Sequence, residues 1–286
     1  MNKKRTLLFL RGLPGSGKST YAKQLVNEEP DRWVRVNKDS LRAMLHDGKW
    51  SKGREKLILD TQRAMADHAL ASGLSVIVDD TNFASKHEEF YRQLAKKHGA
   101  EFELHEFQAS VEECVERDLK RPNPVGKDVI LKMFYQSCPP PTAFVSGLPS
   151  AVICDLDGTL ALMNGKRGPF EWDKVGGDGV NKSVEIVLQA FSRLGLHHIL
   201  LLSGRDGICR SETEMWLSDH SVHYHQLWMR PAGNTEKDVV IKRRIWEENI
   251  KDKFNVWAVF DDRPCVVRFW RSLGLFVFDC GNGYEF

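Results

Sequence analysis

The chain has 286 residues, 42% apolar and 28% charged, which suits a soluble globular protein of one large domain or two ordinary ones. Its 41 Lys and Arg against 39 Asp and Glu leave a net charge of +2 with no basic tail, so a phosphate-rich ligand has to be gripped locally. No repeat, secretory leader or apolar run of bilayer length is evident, and six cysteines without CxxC spacing point to reduced cytoplasmic thiols rather than a zinc or disulfide framework.

The first predicted element is a buried strand, TLLFLRG, that runs into GLPGSGKST at residues 12–20. Gly12, Gly17, Lys18 and Ser19 fit GxxxxGK[ST], and Gly15, Ser16 and Thr20 complete the loop. Glycines let backbone N–H groups face a polyphosphate, Lys18 bridges its terminal phosphates, and Ser19 offers a hydroxyl to Mg²⁺. A helix over 18–29 and a strand, RWVRVNKD, follow. That strand ends at Asp39, with Arg42 one helical turn on. Asp39 suits a base that takes the acceptor's proton, and equally a helix N-cap, while Arg42 suits an acceptor phosphate. A helix over 56–72 leads to the strand SVIVDDTN, which places Asp79 and Asp80 at its end. There a carboxylate serves as an acceptor contact or a more distant Mg²⁺ ligand. After a fourth strand, FELHEF, Arg117 and Arg121 precede a Pro/Gly break. They could close over a transferring phosphoryl group or simply lie on a solvated helix face.

Three consecutive prolines at 139–141 mark a linker over 138–150. The predicted domains are therefore 1–143 and 148–286. The second repeats the alternation, with strands AVICDL, HHILLLSG, NVWAVFDD and LFVFDC and helices around 184–194, 212–218 and 238–249. The expected fold class is α/β in two domains, each a mainly parallel sheet flanked by helices.

In DLDGTL, Asp155 ends a strand and can attack phosphorus, while Asp157 can protonate the leaving oxygen and later activate water. Asp261 and Asp262 are natural companions of Asp155 and Asp157 around Mg²⁺. Ser203, Gly204 and Arg205 follow an apolar run and suit phosphoryl oxygens. One of Lys237 and Lys242 should counter the charge at Asp155. His220, His223 and His225 lack a zinc spacing and read as a polar surface turn and strand. The tryptophans, Trp50, Trp216, Trp228, Trp246 and Trp270 among them, read mostly as core, with one free to stack a base.

With these motifs in place, the chain resembles the phage-type bifunctional polynucleotide 5′-kinase/3′-phosphatase family over nearly its whole length. The resemblance rests on GLPGSGKST, VNKDSLR, DDTN and LKRPNPVGKDVI, then on DLDGTLALMNGKRGPF, LLSGRDG, GNTEKDVVIK and AVFDDR. It implies a P-loop NTPase-like kinase followed by a haloacid-dehalogenase-like phosphatase. Lys18 and Ser19 would then hold ATP and metal. Asp39 would be the general base, Arg42 and Asp80 would position the acceptor, and Arg121 would sit over the ATP phosphates. Arg167 matches a family arginine near the phosphatase site, and motif alignment favours Lys237 as the lysine. Asn234 stands where an acid is sometimes found.

The implied activity is end-healing. ATP phosphorylates a 5′-hydroxyl end, a 3′-phosphate or 2′,3′-cyclic phosphate is removed through an aspartyl-phosphate, and a ligase then acts. ATP and Mg²⁺ are the expected cofactors and RNA or DNA ends the expected substrates. A homo-oligomer without a membrane partner is expected, in the cytoplasm, or the host's cytoplasm if the chain is phage-encoded. The competing reading is a small-metabolite kinase fused to an unrelated phosphatase. A scaffold with retired sites would lack Lys18, Asp39, Asp155 or Asp157, and all four are present.

Overall fold

The computed structural model describes residues 4–141, 143–195 and 197–282. The chain divides into two compact units, Met1–Ser137 and Cys138–Phe286.

In the first unit β1 (Thr6–Arg11), β2 (Trp33–Val36), β3 (Ser75–Asp79) and β4 (Glu101–Glu106) form a parallel sheet in the order β2-β3-β1-β4. Strand β1 is central and buried on both faces, which is why it reads as an unbroken apolar run. Leu7 and Phe9 pack on one side with α3 (Lys52–Ala71) and α4 (Ser85–Lys97). Leu8 and Leu10 pack on the other with α1 (Lys18–Glu28). Each such side chain stabilises the unit by about 1.5–3 kcal/mol. Edge strand β4 alternates exposed and half-buried positions. Helices α2 (Lys38–His46), α5 (Val111–Leu119) and α6 (Lys127–Ser137) complete the unit. Helix α4 escaped the sequence reading because only Tyr91, Leu94 and Ala95 of its thirteen residues are buried, a stripe too thin to register as a period.

In the second unit β5 (Ser150–Asp155) is central in a five-stranded parallel sheet of order β11-β10-β5-β8-β9. The other strands of the sheet are β8 (His198–Asp206), β9 (Gln226–Arg230), β10 (Asn255–Asp261) and β11 (Val277–Asp279), and β5 pairs directly with β8 and β10. Ala161–Leu162 and Gly179–Val180 form a small antiparallel pair, β6 and β7. Helices α7 (Lys182–Leu194), α8 (Arg210–Asp219), α9 (Asp238–Ile245) and α10 (Pro264–Ser272) cover the sheet, with one π-helical turn, Trp246–Ile250, extending α9. Side chains of β5 alternate between two cores, Val152 and Cys154 in one, Ala151 and Ile153 in the other. A register shift between Ser203 and Asp206 in β8 marks a bulge, the device by which a strand re-aims a side chain.

Trp216 and Trp270 are core residues as expected, but Trp50 is 67% exposed. Among the described residues, no helix is long and apolar enough to cross a membrane.

Candidate active sites

In the first unit the candidate residues gather at the carboxyl ends of the strands, where open α/β sheets place their ligands. The loop after β1 turns through positive φ at Gly12, Gly15 and Gly17. At Gly15 a Cβ would stand 2.3 Å from the Cys114 carbonyl oxygen of α5, so a side chain there would drive the loop off its support. Lys18 is buried and folds back on the loop, donating to the carbonyls of Gly12 (2.9 Å) and Leu13 (2.7 Å) and to Ser16 Oγ (3.2 Å). Burial lowers its pKa to about 8 against the upward pull of Asp79. Ser19 Oγ donates to Asp79 Oδ1 at 3.1 Å, and Arg35 pairs with the other oxygen at 2.7 Å.

The residue that caps α2 is Asn37, whose side chain accepts from the Ser40 N–H at 2.8 Å and donates to the Asp79 carbonyl. Asp39 lies in the first turn, exposed and uninvolved in capping, against Arg42 Nη1. The structure thus removes the cap reading of Asp39. Arg42 is held bidentately by Glu55, Nε at 2.9 Å and Nη2 at 2.7 Å, which raises its pKa. Asp80 is buried, accepts from the Lys38 N–H at 3.2 Å and from Gln62, and burial raises its pKa to about 6. Arg121 pairs with the buried Asp118 at 3.1 Å, near enough to the loop for its charge to act on Lys18.

In the second unit Asp155, Asp261 and Asp262 bring carboxylate oxygens within 4.8 Å of one another. Lys242, fully buried, stands among them at 2.7 Å from Asp155, 2.9 Å from Asp261 and 3.3 Å from Asp238. Burial alone would lower the Lys242 pKa, and the carboxylates overcome it and hold it well above its usual value. Burial likewise pushes Asp155 well up, with Asp261 and Asp238 adding to the effect, and raises Asp261 and Asp262. Four carboxylates face two cations, Lys242 and Arg263, the latter 3.7 Å from Asp238. That surplus of hard, negative oxygen donors fits a divalent cation such as Mg²⁺. Asp261 Oδ2 is already engaged by Lys242 and by Trp270 Nε1 at 3.2 Å, whereas Asp262 carries a hydroxyl bond from Thr159 at 3.2 Å. Gly158, at φ 86°, lets the turn pass Asp262, because a Cβ there would lie 2.1 Å from its carboxylate.

Asp157 is gripped by two arginines. Arg205, turned inward at the β8 bulge and fully buried, donates to it at 3.0–3.1 Å, and Arg167 Nη2 pairs with the same carboxylate. Both arginines also meet the buried Asp178 at 2.8 Å.

Two family profiles match the chain, "AAA domain" over residues 7–136 and "Polynucleotide kinase PNKP phosphatase domain" over 149–285. A "Putative bifunctional polynucleotide kinase/RNA ligase" of Autographa californica nuclear polyhedrosis virus is 31% identical over 296 residues, covering 94% of this chain and 41% of its own length. The chain therefore spans about two-fifths of that relative. An "L-seryl-tRNA(Sec) kinase" of Methanococcus maripaludis is 25% identical over 150 residues, covering 51% of this chain and 58% of its own. A chain in the solved Pnkp1/Rnl/Hen1 RNA repair complex is 33% identical, matched over 98% of this chain and 96% of its own, with a TM-score of 0.47.

The chain belongs to the bifunctional polynucleotide kinase–phosphatase family.

For a polynucleotide kinase–phosphatase of this sequence, one expectation needs correcting. The lysine at Asp155 is Lys242, not Lys237. Lys237 is exposed at the N-cap position of α9, with no capping side-chain bond, while Lys242, one turn in and four residues after Asp238, points into the carboxylates. Ser203 and Arg205 are also turned differently from a bare phosphate grip. Ser203 Oγ, fully buried, accepts the Arg205 N–H at 3.1 Å, and the Arg205 guanidinium is taken up by Asp157, Asp178 and Thr213. Gly204 sits where a Cβ would come 2.5 Å from Asp238. His225 Nδ1 accepts the Ile199 N–H at 2.9 Å, a structural role. Residues of the two sites that went unread in the sequence include Asn37, Glu55, Gln62, Asp118, Asp178, Asp238 and Arg263. Only Asp238 carried a signal, its i,i+4 spacing to Lys242 on one helix face.

Proposed function

We propose that this kinase–phosphatase heals broken nucleic-acid ends, adding a phosphate from ATP at a 5′-hydroxyl and removing one at the 3′ end. The observation that carries the reading is the coexistence in one chain of the Lys18 loop beside the Asp39–Arg42 pair and the Asp155–Lys242–Asp261 cluster.

In the first unit the loop N–H groups, Lys18 and Arg121 hold the triphosphate, and Arg42 holds a phosphate of the acceptor strand. Asp39 takes the proton of the 5′-hydroxyl as its oxygen bonds to the γ-phosphorus and the bond to ADP breaks. Ser19 and Asp79 frame the place for the Mg²⁺ that accompanies ATP. In the second unit an Asp155 oxygen bonds to phosphorus, the bond to the sugar oxygen breaks, and Asp157 gives that oxygen its proton. Water then attacks the aspartyl-phosphate, passing its proton to Asp157 and freeing phosphate. Lys242 offsets the negative charge at Asp155. Asp155 and Asp262 would hold Mg²⁺, whose positive charge would let two anions meet. The products, a 5′-phosphate and a 3′-hydroxyl, are the ends a ligase joins.

The test is transfer of labelled γ-phosphate to a 5′-hydroxyl oligonucleotide, in parallel with free nucleosides and sugars. Transfer to the oligonucleotide is expected. Transfer to the small molecules alone would replace end-healing with metabolite phosphorylation. Lys18→Ala is expected to abolish 5′-phosphorylation and spare 3′-dephosphorylation, and Asp155→Asn to do the reverse. Loss of both activities from either folded variant would contradict two independent sites.

A further inference from the structure

Trp50 is the most exposed of the eight tryptophans, and its environment is not that of a stray surface residue. It precedes Ser51, the N-cap residue of α3, and its indole Nε1 donates to Glu55 Oε2 at 3.2 Å. The same oxygen accepts from Arg42 Nη2 at 2.7 Å, and Arg42 in turn meets Asp39. One carboxylate therefore ties the edge of an exposed indole to the arginine proposed to hold the acceptor.

An apolar residue just before an N-cap commonly packs on the residue four positions into the helix. That position is Glu55 here, and the ring stays 67% exposed, so a helix-entry contact accounts for its edge but not its faces. Among the described residues no other ring and no cation stacks on Trp50, whereas Trp33, Trp172, Trp216, Trp246, Trp257 and Trp270 all have such partners. A face fixed by its edge and open on its planes is what single-stranded nucleic acid stacks upon, without regard to base identity.

Resting on the end-healing reading, we propose that Trp50 is the stacking platform for the base of the 5′-terminal nucleotide of a single-stranded acceptor. Arg42 takes that nucleotide's phosphate, and Asp39 its hydroxyl. The base contact adds binding and leaves the chemical step unchanged.

The experiment compares 5′-phosphorylation of two oligonucleotides, one with a normal 5′-terminal nucleotide and one with an abasic sugar there, by the unaltered chain, Trp50→Ala and Trp50→Phe. Trp50→Ala is expected to raise KM for the normal strand about tenfold, with kcat and the KM for ATP within twofold. The abasic strand is expected to bind the unaltered chain about as weakly and to lose nothing further in Trp50→Ala. Trp50→Phe, which keeps a face but not the N–H, is expected to recover most of the loss. An equal loss on both strands would make Trp50 a prop for Glu55 and Arg42 and overturn the proposal, as would no loss on either. Both outcomes would leave end-healing standing. Failure of the unaltered chain to phosphorylate any oligonucleotide would overturn both readings together.

Discussion

Lys242 gives the sharpest test of the second site. It is fully buried and meets three carboxylates at 2.7, 2.9 and 3.3 Å. Replacing it by Met keeps the stem's bulk and removes the charge. Asp155, Asp238 and Asp261 then face one another with only Arg263 for relief. Breaking a buried pair by removing one partner costs about 3–5 kcal/mol. Removing the centre of a triad belongs at the upper end of that range, softened because carboxylates already shifted upward will take up protons. In a unit of 149 residues, Cys138–Phe286, 1 kcal/mol moves the midpoint by about 2–4 °C, so Lys242→Met should lower its melting by about 6–20 °C. Added Mg²⁺ should recover more of that loss than it adds to the unaltered chain, because the variant's cluster is one charge more negative. Hydrolysis of a 3′-phosphate oligonucleotide should fall at least a hundredfold, about 2.7 kcal/mol of barrier, while 5′-phosphorylation on the same preparation stays intact. Lys237→Met should change neither melting nor hydrolysis by a measurable amount. The reasoning is refuted if Lys237→Met abolishes hydrolysis and Lys242→Met retains it.

Three further outcomes follow from the first unit. Asp80 has a folded pKa of about 6, above its ordinary 3.8, so its protonated form stabilises the fold below about pH 4 and that stabilisation is lost as pH rises to about 6. Asp80→Asn, with the Gln62 amide turned to suit, should therefore melt higher than the unaltered chain at pH 7 by the equivalent of about 3 kcal/mol, match it near pH 4, and lose 5′-phosphorylation; equal melting at both pH values would contradict the buried charge. Lys18, at about pKa 8, should lose its proton as pH rises, so the KM for ATP should climb between pH 8 and about 10; a flat KM across that range would mean the lysine stays charged. Asn37→Ala should cost about 1 kcal/mol in melting through the lost cap, whereas Asp39→Asn should leave melting unchanged and stop 5′-phosphorylation; a matching loss of stability in Asp39→Asn would return Asp39 to the helix cap.

How much of this was legible in the sequence depended on the kind of interaction. The strands of both sheets and the loop at Gly12 to Ser19 were plain because they are local, being apolar runs ended by glycine or acid. The Asp155–Asp157 turn was plain for the same reason. Asp39 was half legible. Its type and position were visible, but whether Asn37 or Asp39 capped α2 is a matter of two residues' dihedral angles. Asn37 takes the extended backbone of a cap and Asp39 does not. Lys242 was misassigned because Lys237 and Lys242 lie five residues apart in one motif, and only the phase of α9 decides which faces the sheet. The supporting carboxylates were illegible. Glu55, Asp118 and Asp178 lie in charged stretches that look like ordinary surface, and only tertiary contact shows that Asp118 and Asp178 are buried and paired.

Those supporting acids follow a common rule. Five cations expected or proposed to act on phosphate are each engaged by an acceptor of the protein itself. Lys18 is on its own loop carbonyls, Arg42 on Asp39 and Glu55, Arg121 on Asp118, Arg205 on Asp157 and Asp178, and Lys242 on its three acids. Lys18, Arg205 and Lys242 are buried, and a buried cation without a partner would cost several kcal/mol, so these three must be paired for their units to fold. On the end-healing reading proposed above, an arriving phosphate would compete with Asp39 for Arg42 and with Asp157 for Arg205, freeing each carboxylate for the proton transfer proposed for it. Where the partner is a supporting acid, as with Glu55, Asp118 and Asp178, the cation stays tethered and aimed. Charge reversal at a supporting acid should accordingly damage stability and activity together, while neutralising the exposed Asp39 should remove activity alone.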